Sequence, residues 1–350
     1  KKFATYYSKI LFFAFLTESK VISLQEILDE IDENLNNQRL AKNLGLKVEI
    51  LNSFQAALNP FILSELDYKI QNINTLTNDL ALRPIERAEI AMRKFTRLSE
   101  SEIVTPENVT ERMIDVFPEG AITEKTKLLD IASKQGEFAF ACYKKFGKNV
   151  AKNFYSIPTS KIAYEFTRKV YELLELDVSH IESKFTSYDL IKEDNEIIKD
   201  NQVKINNDDM KFDVVIGNPP YQAKDGGAGA SAKPIYNFFV EKSQELEPQY
   251  ISMIIPTRWF SGGKGLDDFR EKMLNDPHIS ELHDFLNPKV LFQDTNNRGG
   301  ICFFLWNKEF NAQEEFPTIY TYKEENNPII DHRNLKNGDS EIFIRHSAAI

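Results

Sequence analysis

Two regimes of hydrophobic patterning divide the chain. In the first hundred residues apolar side chains recur every three or four positions: Leu24, Ile27, Leu28, Ile31 and Leu35, then Leu63, Leu66 and Ile70, then more loosely Ile85, Ala88, Ile90, Ala91 and Phe95. That spacing lines one face of a helix, and nothing here alternates with the period of two that a strand needs. Ser23 precedes the first run and Glu26 follows three residues later. This is the signature of a capping box, in which each side chain satisfies the other's free backbone N–H. Residues 1–98 are expected to be helical and to act as a connector or support region.

From about Ser99 short apolar runs alternate with helical stretches. Strands are expected at 127–131, 153–157, 181–185, 212–216 and 250–255. Helices are expected at 136–146, 160–176, 235–246 and 266–274. Such alternation predicts an α/β fold: a mostly parallel, doubly wound sheet covered by helices. Ligands of such sheets sit at the carboxyl ends of the strands. The continuous apolar run 301–306 is expected to be a buried strand at the end of the sheet, so the α/β domain spans 99–310. Residues 311–350 turn polar, with Pro317 and Pro328, and are expected to begin a further module, target recognition being one role for it. The chain opens on Lys1-Lys2 without Met and closes on Ile350 with no terminal element, so a piece of a longer polypeptide is expected.

Composition narrows the class. With 350 residues, 42% hydrophobic and 27% charged, the chain can bury a substantial core. No apolar run reaches membrane-spanning length, and the run 10–16 reads as a buried helix rather than a signal peptide. Cys142 and Cys302 both lie in apolar contexts, which points to reduced thiols and a cytoplasmic location. The five histidines show no metal-ligand spacing, so no metal is expected. A net charge of -10 weighs against a nucleic-acid binder. Affinity for phosphates is local, however, and a basic cleft in an acidic protein suffices.

The most informative stretch is Phe212-Asp213-Val214-Val215-Ile216-Gly217-Asn218-Pro219-Pro220-Tyr221. Prolines have no N–H and cannot continue a sheet, so a rigid rim is expected at a strand tip. Asn218 supplies an acceptor oxygen and two donor hydrogens there, and Tyr221 adds an aromatic face. An amide, a proline carbonyl and a ring together seat a flat group bearing an exocyclic amine. The plain alternative is a strand-ending turn.

Three weaker signals surround it. Asp130-Ile131-Ala132-Ser133-Lys134-Gln135-Gly136-Glu137-Phe138 places an acid at a strand end and Gly136 at a helix start, which suits a nucleoside. Asp189 follows the third expected strand; as a lone acid it reads most simply as a solvated loop residue. Thr105-Pro106 precedes a helical stretch at 107–116, where Thr105 is expected to cap and Pro106 to take the first helical position. Asp225 to Ser231 is glycine-rich, and lacking a following Gly-Lys-Ser/Thr it reads as a mobile loop rather than a phosphate cradle.

In order and spacing these motifs resemble the amino-methyltransferases of restriction-modification systems, most closely the bifunctional type II branch. The resemblance covers about 200 residues, from Val104 to Trp306. Asn218 to Tyr221 match that family's catalytic tetrapeptide in full. The turn from Asp130 to Phe138 resembles its Asp-Pro-x-x-Gly-x-Gly-x-Phe element, but Ile131 replaces the proline and Lys134 the first glycine. Asp189 resembles its adenine-contacting acid, and Thr105-Pro106 its N-terminal cofactor motif.

The resemblance implies methyl transfer from S-adenosylmethionine to adenine N6 of double-stranded DNA, with the target base flipped out of the helix. Adenine is favoured over cytosine N4 because the tetrapeptide begins with Asn rather than Ser. Asn218, Pro219, Pro220 and Tyr221 are then catalytic. Thr105, Asp130, Ala132, Gly136, Phe138 and Asp189 bind cofactor, and Tyr221 and Phe292 stack on the base. The acid that usually ends the second strand to hold the ribose is missing from Ser156-Ile157-Pro158, leaving Glu137, Thr159 or Ser160 as substitutes. Nuclease, helicase or recognition modules in flanking segments are partners the resemblance allows. Methylation of a protein glutamine or of RNA, and a non-catalytic DNA-recognition or scaffold module, are the alternatives.

Overall fold

The computed structural model describes residues 2–99, 102–192, 196–223, 233–292 and 299–345. Six helices come first: α1 (Lys2–Leu16), α2 (Leu24–Glu30), α3 (Leu35–Leu44), α4 (Val48–Ala57), α5 (Pro60–Asn78) and α6 (Pro84–Lys94). Their ends follow local chemistry. Asn34 caps α3 by accepting from the Asn37 N–H at 2.8 Å, and Gly45 closes it with a φ of 65°. Ser23 caps α2 as expected, accepting from the Glu26 N–H. The return bond differs: Glu26 reaches the N–H of Ile22 rather than that of Ser23.

The α/β part runs α7 (Glu107–Asp115), β1 (Leu128–Ser133), α8 (Glu137–Phe146), α9 (Lys148–Ala151), β2 (Phe154–Pro158), α10 (Lys161–Leu173), β3 (Ile198–Lys199), β4 (Gln202–Ile205), β5 (Asp208–Met210), β6 (Val214–Gly217), α11 (Tyr236–Glu245), β7 (Tyr250–Pro256), α12 (Asp267–Asn275), β8 (Ile279–Phe285), β9 (Ile301–Asn307), β10 (Thr318–Tyr322) and β11 (Ile329–His332). The main sheet has the order β11-β10-β8-β9-β7-β6-β1-β2. Pairs β2/β1, β1/β6, β6/β7 and β8/β10 are parallel; β9 is antiparallel to both neighbours and β11 to β10. Apolar side chains of β1 and β6 alternate between two cores, Leu128, Val214 and Ile216 on one face, Leu129, Ile131 and Val215 on the other. The chain leaves β1 for β2 on one side and returns to β6 on the other, so a crevice opens outside the carboxyl ends of β1 and β6.

The helical layer is joined to the sheet through α10. Phe166 of α10 packs against Phe12, Phe15 and Phe95, with ring centroids 5.1 to 5.6 Å apart. Buried Glu165 is held by Arg39 of α3 at 3.0 Å and by the Asn43 amide.

Three expectations need correction. Residues 181–185 form no strand; Ile181 makes a single bridge to Ser156. The segment after it instead forms a separate three-stranded meander, β3-β4-β5. The run 301–306 is not at the end of the sheet: β9 lies between β7 and β8, and a strand buried on both faces reads as a continuous apolar run. Residues 311–350 place β10 and β11 in this same sheet instead of opening a separate module.

Candidate functional site

Strand β6 delivers Asn218 to the crevice. Gly217, its last residue, permits a close approach to β1, because a Cβ there would stand 3.1 Å from Ile131 Cγ2. The strand then stops at Pro219 and Pro220, which are buried like Asn218. Asn218 Nδ2 donates to Thr105 Oγ1 at 3.1 Å. Thr105 Oγ1 in turn donates to Glu137 Oε1 at 3.2 Å. This chain settles the orientation of the amide. Thr105 has one hydroxyl hydrogen and gives it to Glu137, so it is left to accept from the Asn218 nitrogen. Asn218 Oδ1 therefore faces away from Thr105, and it receives no hydrogen bond from the described residues.

Thr105 does not cap α7 as expected. Pro106 is the N-cap residue and no side chain caps that helix. The hydroxyl is drawn instead into the buried Glu137–Asn218 link. Glu137 clamps the loop after β1 as well, its Oε2 accepting from the backbone N–H of Gln135 at 2.8 Å and of Lys134 at 3.3 Å. The Gln135 amide reaches the Phe95 carbonyl, tying this loop to the helical layer.

Asp130 is fully buried. Its Oδ1 accepts from the Ala132 N–H at 3.0 Å, and its Oδ2 has no partner among the described residues. Burial, reinforced by Glu137, holds this carboxyl well above the usual aspartate range. Gly136 adopts a φ of 74° at the start of α8, a conformation that glycine takes without strain. Ala132 is buried, and Phe138 points into the core below the loop, where it anchors α8. Lys134 is only 4% exposed, and its Nζ donates to the Asn218 backbone carbonyl at 2.7 Å. Burial pulls its ammonium below the usual lysine value, against the opposing pull of Glu137, Asp130 and Glu102.

Asp189 finds its partners within its own turn. It caps the short turn Ser187–Ile191, accepting from the Thr186 N–H at 2.7 Å, and pairs with Lys192. Burial raises its pKa, but the Lys192 and Thr186 bonds outweigh that and leave it below its ordinary value. No hydrogen bond joins it to Asn218, Thr105 or Lys134 among the described residues. Of the proposed substitutes for the missing strand-end acid, Ser160 caps α10. Thr159 donates to Glu102 Oε1 at 2.7 Å. Glu102 is a carboxylate that sequence reasoning missed. It is 4% exposed and comes from the segment between helical layer and sheet. In the sequence it is one acid in a polar Ser-Glu-Ser-Glu stretch, with nothing to distinguish it.

Beside the Thr105–Glu137 pair lies a cavity of about 410 Å³, within the range of small-molecule sites. Thr105, Pro106, Glu137 and Phe140 form one wall, Leu291 and Phe292 another, and Arg93 and Arg97 approach from the helical layer. Tyr221 is half-buried, its ring edge-on to Tyr236 with centroids 6.4 Å apart. Its buried hydroxyl has no partner among the described residues, and burial pushes the phenol pKa upward. The glycine-rich stretch from Asp225 to Ser231 lies outside the described residues. Among the described residues no group of His, Cys, Asp and Glu is placed to hold a metal, and no helix is long and apolar enough to cross a membrane.

Comparison with known proteins places the fold. The type I restriction-modification methyltransferase subunit of Streptococcus thermophilus superposes with a TM-score of 0.56 at 13% identity, over 95% of this chain and 73% of that one. The DrdV protein in a complex with DNA superposes with a TM-score of 0.53 at 12% identity, over 95% of this chain and 40% of that one. The fold is thus shared with both, a Rossmann-like sheet with an N-terminal helical region. In sequence, the chain is 37% identical over 127 residues to an uncharacterized adenine-specific methylase of Mycoplasma pneumoniae. That match spans 35% of this chain but only 30% of that protein. Residues 124–292, which carry Asp130, Lys134, Asn218 and Phe292, match the Eco57I restriction-modification methylase family.

Proposed function

We propose that this chain transfers a methyl group from S-adenosylmethionine to the N6 amine of adenine in double-stranded DNA, within a restriction-modification system. The observation that carries the proposal is the Asn218 amide at the tip of β6, oriented through Thr105 and Glu137 with Oδ1 left to accept. The match of residues 124–292 to a restriction-modification methylase family supports it, as does the adenine-specific methylase homologue.

The surroundings fit an adenosyl ligand. Asp130 Oδ2 is a buried carboxyl oxygen without a partner among the described residues, and Gly136 opens the backbone at the start of α8. Together with Thr105, Ala132, Glu102 and, at the rim, Asp189, these residues hold the cofactor in this reading. When bound, S-adenosylmethionine supplies an activated methyl group. Phe138 supports the site from the core rather than by contact.

The chain's own part is orientation. An adenine amine is a poor nucleophile because its lone pair is delocalised into the ring. Asn218 Oδ1 and the Pro219 carbonyl accept its two hydrogens and turn the lone pair toward the methyl donor. Fixed dipoles of this kind need no strong base. The target base must leave the duplex to reach them. Phe292, which lines the cavity, and Tyr221 are the rings proposed to stack on it. Helicase, nuclease and recognition functions in flanking segments remain part of the proposal only as partners.

Sequencing N6-methyladenine in genomic DNA of cells with and without the gene tests this reading. A site-specific mark that vanishes with the gene and is not restored by Asn218→Ala supports it. Identical methylation in both strains refutes it. One observation favours a second reading, a non-catalytic DNA-recognition or scaffold module: Lys134 fills part of the turn with its own side chain. Calorimetry with S-adenosylmethionine separates the two, since a scaffold shows no binding.

A further inference from the structure

Lys134 has no task in the mechanism above, yet its side chain is buried at the centre of the site. Its ammonium sits 2.7 Å from the backbone carbonyl of the residue proposed to hold the acceptor amine. Asp130, Glu137 and Glu102 are close enough to act on it electrostatically. Of these, Glu137 is committed to Thr105 and the loop N–H groups, and Glu102 to Ser99 and Thr159.

We propose that Lys134 is a specificity-determining residue, a fixed positive charge that sets how the site discriminates between a sulfonium ligand and the corresponding neutral thioether. The inference rests on the methyl-transfer reading. Transfer to an amine held by Asn218 requires the reacting atoms to approach within about 3–3.5 Å. A sulfonium that donates its methyl there would lie close to the buried Lys134 ammonium, which is held 2.7 Å from the Asn218 carbonyl. Two buried like charges repel far more strongly than they do in water. S-adenosylmethionine and S-adenosylhomocysteine differ by one methyl group and one positive charge. The lysine therefore disfavours the first relative to the second, and the neighbouring carboxylates offset part of that effect. Glycine at this position would impose no such bias.

The test is the ratio of two affinities, so contacts common to both ligands cancel. Calorimetry measures S-adenosylmethionine and S-adenosylhomocysteine binding to the wild-type chain, Lys134→Met, Lys134→Arg and Glu102→Gln, with thermal melting to confirm folding. Lys134→Met is expected to shift the ratio toward S-adenosylmethionine by about tenfold. Lys134→Arg keeps the charge and leaves the ratio within about twofold. Glu102→Gln shifts it the other way. A folded Lys134→Met with an unmoved ratio overturns the inference while leaving the methyl-transfer reading intact. If Lys134→Met does not fold, Glu102→Gln decides: no shift toward the neutral ligand overturns it. A wild-type chain that binds neither ligand sinks the methyl-transfer reading and this inference with it.

Discussion

Thr105 and Asn218 are 113 residues apart in the chain and 3.1 Å apart in the fold, joined through side-chain atoms. The threonine hydroxyl has one hydrogen, and Glu137 takes it. Thr105→Val removes the relay at both ends and frees the Asn218 amide to rotate. Methyl transfer is expected to fall roughly 10- to 100-fold through loss of alignment, with S-adenosylhomocysteine affinity changed far less. Thr105→Ser should retain most of the rate. Initial rates with tritiated cofactor check this, and equal rates in Thr105→Val and wild type would remove the relay from the mechanism.

Asn218→Ala takes away the proposed acceptor for the amine. Turnover is expected to drop by at least about 100-fold, while calorimetric cofactor binding stays near the wild-type value. Substantial remaining turnover in this variant contradicts the role given to Asn218.

Asp130 makes stability depend on pH with a definite sign. Its folded-state pKa is raised by burial and by Glu137. The native state thus holds this proton more tightly than the unfolded chain, and the associated stability is lost as pH rises from about 4 through the raised value. Asp130→Asn cannot titrate. It is expected to melt above wild type at pH 8, with the difference closing toward pH 4. Melting curves across that range check the sign; a variant less stable than wild type at pH 8 contradicts the assignment.

The helical layer is proposed to support the sheet, and Arg39 carries the polar part of that contact. Its partner Glu165 has 3% side-chain exposure, whereas Arg39 itself keeps 31%. Removing the partner of a buried carboxylate is destabilising, and the partial exposure of Arg39 lowers the effect to about 2 kcal/mol. Urea unfolding of Arg39→Ala measures it. No change in midpoint means that Arg39 adds nothing to the contact made by Asn43 and by the Phe12, Phe15, Phe95 and Phe166 rings.

Phe292 tests the cavity. Phe292→Leu keeps apolar bulk but loses the flat face, and is expected to weaken binding of DNA by ~1–3 kcal/mol. Titration of a duplex with 2-aminopurine at the target position reports both affinity and base extrusion. Unchanged affinity and unchanged fluorescence place Phe292 in the core only.

Much of the architecture was legible because it is written in local periodicity. The apolar runs 127–131, 153–157, 212–216 and 250–255 became strands, while the helical spacing from Leu24 to Leu35 split into α2, which ends at Glu30, and α3, which begins at Leu35. Strand β8 escaped notice because Glu281, His283 and Asp284 interrupt its apolar pattern. In the fold, His283 is stacked between Phe303 and Tyr320, with both centroids at 4.3 Å, and Asp284 is paired with Arg345. These partners come from other strands and from the chain end, so no local window reveals them. Residues 181–185 misled in the opposite direction: Ile181 bridges Ser156, but the rest of the segment is tied through Glu182 and Ser183 to Asn206 rather than to a strand.

At the site the division follows the same line. Two consecutive prolines after an apolar strand dictate a rigid tip wherever they occur, because neither has an N–H to donate, so Asn218 could be singled out from residue types alone. A glycine after a strand-end acid likewise marks the turn at Gly136 through backbone freedom. The partners of these groups were decided only by folding. Thr105 links to Asn218, Lys134 crosses to the Asn218 carbonyl 84 residues away, and Glu102 reaches Thr159 across 57. Hydrogen bonds and charge interactions act over a few ångströms of space whatever the separation along the chain, and the order of strands in the sheet is what brings those ångströms about.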